Sequence, residues 1–177
     1  MSVSHLELQR IMPYSGKRAE AYLEPLNAAM AEFDISLSQK RECAFLAQIA
    51  HESGELRYVR ELASGEAYEG RDDLGNTEPG DGARFRGRGL IQVTGRDNYD
   101  ACGSALGLDL LRQPELLELP VNACRSAGWF WKSRGLNQIA DTDGFEIITR
   151  RINGGLTGYA DRLAYFRRAQ QTLGDVA

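Results

Sequence analysis

The sequence predicts a mainly α-helical fold with one minor β element. Three observations lead there: apolar residues recur at helical spacing along most of the chain, Gly and Pro fall at the ends of those stretches, and the irregular part is gathered between two helical groups. With 177 residues, 42% hydrophobic and 26% charged, the chain can bury one sizeable core that can divide into two lobes around a groove. A single domain over residues 1–177 is expected.

From 17 to 33, Tyr22, Leu26, Met30 and Phe33 share a helical face, and Pro25 either kinks this helix or marks its start. Ser36 and Gln39 have capping-box spacing and are expected to open a second helix. Its stripe of Cys43, Leu46, Ala47 and Ala50 is widened by Phe45 and Ile49, the pattern of a helix buried on most sides, and Gly54 is its expected stop. Residues 63–89, ASGEAYEGRDDLGNTEPGDGARFRGRG, hold many glycines and little periodicity; a loop this long in a compact domain is usually functional or disordered. It leads into LIQVT, 90–94, a β-like run that would put Leu90, Gln92 and Thr94 on one face and Ile91 and Val93 on the other. Helical spacing returns at Tyr99, Cys102 and Leu106, in PELLELPVNACRSAGWFWKSRG closed by Gly135, and in DGFEIITRRING and DRLAYFRRAQQTLG.

No stretch approaches the roughly 18 to 20 apolar residues that a membrane span needs, and MSVSHLELQR lacks the basic-then-apolar order of a secretory signal. The expectation is a soluble protein made in the cytoplasm, without membrane insertion. Cys43, Cys102 and Cys124 have no CxxC spacing; reduced buried thiols are expected, although Cys102 and Cys124 could pair after export. The net charge of −4 and pI near 5.3 argue against a nucleic-acid partner. Arg84, Arg86, Arg88 and Arg96 nevertheless cluster around the glycine-rich segment, as a solvated loop or as a contact for an anionic polymer.

The most informative stretch is AFLAQIAHESGEL, 44–56, an apolar helix that ends on His51 and Glu52. A zincin would need HExxH, but the chain reads HESGE and its other histidine is His5, so no metal is expected. No GxSxG or comparable nucleophile signature accompanies His51. Glu52 continues the stripe of Phe45 and Ile49 and ends a helix, and partial desolvation and the negative end of the helix dipole both favour a carboxyl's neutral form. That suits a general acid; the competing reading is a helix-end glutamate bent out to water. A glycosidase would also need a second carboxylate, for which Glu55, Glu61, Glu66 and Glu69 are available. GRGLIQVT adds glycines that allow close backbone approach and two polar groups, Gln92 and Thr94, to hold a water or a sugar hydroxyl.

Together, FLAQIAHESGEL, GDGARFRGRGLIQVTGRDNY and ITRRINGGLTGYADR closely resemble glycoside hydrolase family 19, and within it the short phage and prophage endolysin branch, over about residues 17–173. The resemblance implies a lysozyme-like two-lobed helical domain with a small β element beside the substrate groove. It implies Glu52 as general acid, Glu61 as the base, and Thr94 as the hydroxyl that holds the water. Gln92, Asn98, Asn153 and Arg162 would line the groove, His51 would orient its neighbourhood there, and Glu69 is a lesser candidate for base or substrate contact. Two departures stand out. The gap between Glu52 and Glu61 is shorter than in plant chitinases, and GGLTG lacks the acidic residue those enzymes carry after NGG.

What the resemblance further implies is an inverting, cofactor-free glycosidase acting on peptidoglycan as a muramidase-type endolysin. It would be a monomer without a separate wall-binding domain, reaching the periplasm once a holin opens the inner membrane. A chitinase and a catalytically silent sugar-binding homologue are the alternatives.

Overall fold

The structure is a computed structural model that describes residues 2–174. Helices dominate it: α1 (His5–Ile11), α2 (Lys17–Glu32), α3 (Gln39–Glu52), α4 (Asp81–Arg84), α5 (Arg96–Leu106), α6 (Pro120–Ser133), α7 (Leu136–Asp141), α8 (Phe145–Asn153) and α9 (Tyr159–Gly174), with 3-10 turns at Glu66–Tyr68, Asp72–Leu74 and Pro114–Glu118. No described helix is long and apolar enough to cross a membrane.

The wide apolar stripe of α3 has the consequence expected of it. Every residue from Glu42 to Ala50 is buried, with α9 as its main neighbour and α1 and α7 alongside. Phe45 meets Trp131 of α6 edge-on, ring centroids 5.3 Å apart, and α2 lays Tyr22, Leu26 and Met30 into the same core. A fully buried aliphatic of this size contributes about 1.5–3 kcal/mol.

A second, smaller cluster of Phe85, Val93, Tyr99, Cys102, Leu106, Leu110 and Leu117 forms around α5. Phe33 and Trp129 pack against both clusters, so the two lobes share a seam made by the end of α2 and the middle of α6.

Several expectations change. LIQVT is not a strand: the β element reduces to the isolated bridges Arg60 to Arg88 and Arg88 to Val93, and residues 89–92 form a tight turn between them. Alternation fails because Leu90 and Ile91 both enter the large core, whereas Val93 enters the small one. The apolar run is a pin across the seam rather than a two-faced strand.

Pro25 lies inside α2 and does not mark its start. The N-cap of α3 is Ser38, not Ser36. A capping box does occur at Ser4 and Glu7, opening α1, a helix of seven residues too short to stand out by periodicity.

Three arginines of the cluster have partners within the fold. Arg88 is buried and binds Glu118, the Arg84 carbonyl and the Tyr99 hydroxyl. Arg96 forks onto Asp81 at 2.6 and 2.8 Å, and Arg84 binds the carbonyl of Leu111. These guanidiniums staple the glycine-rich loop to the small lobe, which is how a segment with little apolar content stays ordered. The three cysteines are free and buried, so Cys102 and Cys124 are not paired.

Candidate active site

The end of α3 is built to hold its last residue still. Ser53 caps the helix, its hydroxyl donating to the Ile49 carbonyl at 2.7 Å and accepting from the Leu56 amide at 2.8 Å. Gly54, the expected stop, has φ of 55°, and Glu55 and Leu56 follow it with φ of 57° and 67°. For side chains other than glycine this conformation costs on the order of 1 kcal/mol each. Burial of Leu56 and three bonds of Glu55 offset it: the Glu55 carboxylate accepts from the Tyr165 hydroxyl at 2.7 Å and from the Tyr14 amide, and its carbonyl accepts from Arg18 Nε. Glu55, one of the four possible second carboxylates, is therefore an internal anchor.

Two adjacent pairs join α3 to the start of α9. His51 Nδ1 lies 2.7 Å from Asp161, and the ring packs over Gly158, where a Cβ would come within 2.4 Å of it. Glu52 Oε1 lies 2.6 Å from Arg162 Nη2; the N–H direction misses the oxygen, so this is an ion pair rather than an aligned hydrogen bond. Arg162 is 1% exposed. Its other terminal nitrogen donates to Gln48 Oε1, Gln48 donates to Thr149 at 2.9 Å, and Thr149 donates to the Phe145 carbonyl at 3.1 Å. A polar chain thus runs through the core behind Glu52, and each buried member has a partner, as burial of polar groups demands. Sequence reasoning named Arg162 as a residue lining the groove; the structure instead buries it behind Glu52, because its guanidinium is taken up by Glu52 and Gln48.

Glu61 sits on the segment that the Arg60 to Arg88 bridge holds. Its Oε1 accepts from the Tyr68 hydroxyl at 2.9 Å and its Oε2 from the Gly87 amide at 3.1 Å, while its own amide donates to the Gly87 carbonyl. Burial, and then the bond to Glu61, push the Tyr68 hydroxyl up from its ordinary value, keeping it a donor. Gly87 also lets the Gln92 side chain lie close: a Cβ would come within 2.5 Å of Gln92 Oε1 and displace its amide. The carboxylate of Glu61 and the side chain of Gln92 therefore flank one glycine.

Gln92, Thr94 and Asn98 line a small pocket with Trp129, Phe130 and Arg134, at the seam between the lobes. Asn98 donates to the Thr94 carbonyl at 2.7 Å, which fixes the start of α5 against the turn. Periodicity assigns Trp129 and Phe130 to a helix that Arg134 ends, but gives no sign that the three open onto a pocket. Glu69 lies elsewhere: its two oxygens accept from the amides of Gly80 and Gly82 at 2.6 and 2.8 Å, closing the first turn of α4. Asn153 is exposed at the end of α8, and no hydrogen bond among the described residues ties it to the groups above.

The family model described as chitinase class I, of glycoside hydrolase family 19, matches residues 23–140. The chain belongs to glycoside hydrolase family 19. A family 19 domain-containing protein of Haemophilus influenzae is 30% identical over 99% of both chains. An Arabidopsis thaliana endochitinase is 37% identical over 72% of this chain but only 44% of its own length, so the chain spans about half of such plant relatives. Chitinase C of Streptomyces griseus has the same fold, with a TM-score of 0.81 and 28% identity over 97% of this chain and 76% of its own. A further bacterial family 19 chitinase gives 0.80 and 26% over 97% and 95%. The matched region of this family 19 domain contains Glu52, Glu61 and the Gln92 to Asn98 turn, whereas Arg162, which completes the Glu52 pair, lies beyond it.

As a glycoside hydrolase the domain offers two carboxylates in contrasting settings. Glu52 ends a rigid helix against a single cation, and Glu61 is tethered through both oxygens. Such contrast allows an acid and a base to share one site.

Proposed function

We propose that this family 19 domain hydrolyses the glycan strand of bacterial peptidoglycan with inversion. Glu52 gives its proton to the glycosidic oxygen as the bond to the anomeric carbon breaks. Glu61 takes a proton from a water held by the Thr94 hydroxyl, and that water adds to the opposite face of the sugar. Arg162 then balances the charge left on Glu52. The observation that carries this reading is the setting of two carboxylates in one family 19 domain: Glu52 at the capped end of the rigid helix α3, and Glu61 tethered through both oxygens. The short span between Glu52 and Glu61 supports the peptidoglycan assignment.

The same reading makes the protein a monomeric lysis enzyme that meets the wall after a holin opens the inner membrane. Hydrolysis of chitin is the second reading, favoured by the printed activity of the plant relatives and of the Streptomyces griseus enzyme. Incubation with purified peptidoglycan and, separately, with colloidal chitin tests the choice. New reducing ends at N-acetylmuramic acid are expected from the first, and release from chitin alone would overturn the assignment.

A further inference from the structure

Arg134 stands at the end of α6 with its guanidinium 3.7 Å from the centroid of the Phe130 ring. Stacking fixes the plane of the fork and leaves its N–H groups unused. Among the described residues, the Arg134 side chain has no carboxylate partner and donates no hydrogen bond, in contrast to Arg41, Arg88, Arg96, Arg125 and Arg162, each paired with an acid.

This free cation lines the seam pocket, whose other polar groups, Gln92, Thr94 and Asn98, are neutral and whose floor includes Trp129. Amides, a hydroxyl and an indole suit a neutral sugar. A held but unpaired guanidinium suits a carboxylate, which it can bind through two parallel N–H donors.

Resting on the peptidoglycan reading above, we infer that Arg134 is a specificity-determining residue that binds a carboxylate on the 3-O-lactyl arm of the substrate. A chitin chain carries no such group. Two sources share this chemistry: the lactyl carboxylate itself in strands stripped of peptide, and the side-chain or terminal carboxylate of a stem peptide attached there.

The test is binding of soluble glycan strands to the Glu52→Gln variant, with and without Arg134→Gln, while the wild-type protein is assayed in parallel on peptidoglycan. The probes are a peptide-free strand with lactyl carboxylates, the same strand converted to carboxamides, and a strand carrying an acidic dipeptide stem. One of the charged strands should bind about tenfold more tightly than the carboxamide, the scale of one charge-assisted hydrogen bond, and the preference should shrink with added salt. Arg134→Gln should abolish it and Arg134→Lys should retain part of it. Preference for the peptide-free strand identifies the lactyl group as the source, and preference confined to the dipeptide strand identifies the stem.

Equal binding of charged and uncharged strands, or a preference that survives Arg134→Gln, overturns the inference. If the wild-type protein cleaves peptidoglycan in that case, the proposed function stands and the role of Arg134 alone falls. If the wild-type protein cleaves chitin alone, the proposed function falls first.

Discussion

Arg162 Nη2 stands 2.6 Å from Glu52 Oε1, with the guanidinium almost wholly buried and the carboxylate keeping 22% of its side-chain surface. Glu52 stays partly exposed, while its partner is locked in the core by Gln48 and Thr149. Removing one member of such a pair leaves the other uncompensated. Arg162→Gln is expected to cost about 3–5 kcal/mol, read as a lower urea midpoint with unchanged slope. Gln48→Leu strands Arg162 Nη1 and removes the donor to Thr149, whose hydroxyl keeps the Phe145 carbonyl, and should cost less, about 1–3 kcal/mol.

Tyr68→Phe removes one of the two donors to Glu61 and nothing else from the core, since Tyr68 is only half-buried. Stability should change little. Hydrolysis should fall about tenfold or more, as expected when a hydrogen bond to a charged group is lost, and steady-state rates beside thermal melts separate the two effects. A large loss of stability with unchanged rates per folded molecule would contradict the placement of Tyr68.

Glu42 is 2% exposed in the first turn of α3, and one carboxyl oxygen has no hydrogen-bond partner. Burial, the main cause, pushes its carboxyl above the ordinary glutamate value. The folded state therefore holds this proton more tightly than the unfolded chain. The cost is absent at low pH and grows as pH rises from the ordinary value of 4.5 through the raised folded one. Glu42→Gln should leave acid stability nearly unchanged and raise stability near neutrality. Urea titrations across that range measure it, and no gain at neutral pH would refute the account.

Burial pushes the thiols of Cys43 and Cys102 up to about 12, and that of Cys124 upward as well. None should react with a thiol reagent at pH 8 until the protein is unfolded, when all three become accessible. Rapid labelling of the native protein would contradict their placement.

The helices were legible where apolar residues keep the period long enough: α2, α3, α5, α6, α8 and α9 all carry such stripes, and Gly54 and Gly135 lie just past the ends of α3 and α6. Helix α1 was not, because seven residues give too little periodicity; its capping box, Ser4 with Glu7, was the signal available. LIQVT misled because a run entering two different cores imitates an alternating strand. Within the candidate site, local sequence could single out Glu52, but its partner Arg162 lies 110 positions along the chain. Nothing in the periodicity of α9 marks that arginine as buried. The same holds for Glu69 and the loop arginines, whose internal partners only the folded chain brings within reach.

The most direct measurement of the central claim is hydrolysis by Glu52→Gln, with peptidoglycan and chitin as substrates and circular dichroism as a check of the fold. The variant keeps the shape of the side chain and removes its proton. The account predicts a folded protein whose rate falls by about 10²–10⁴ on whichever glycan the wild-type protein cleaves. A folded variant with near wild-type turnover would contradict it.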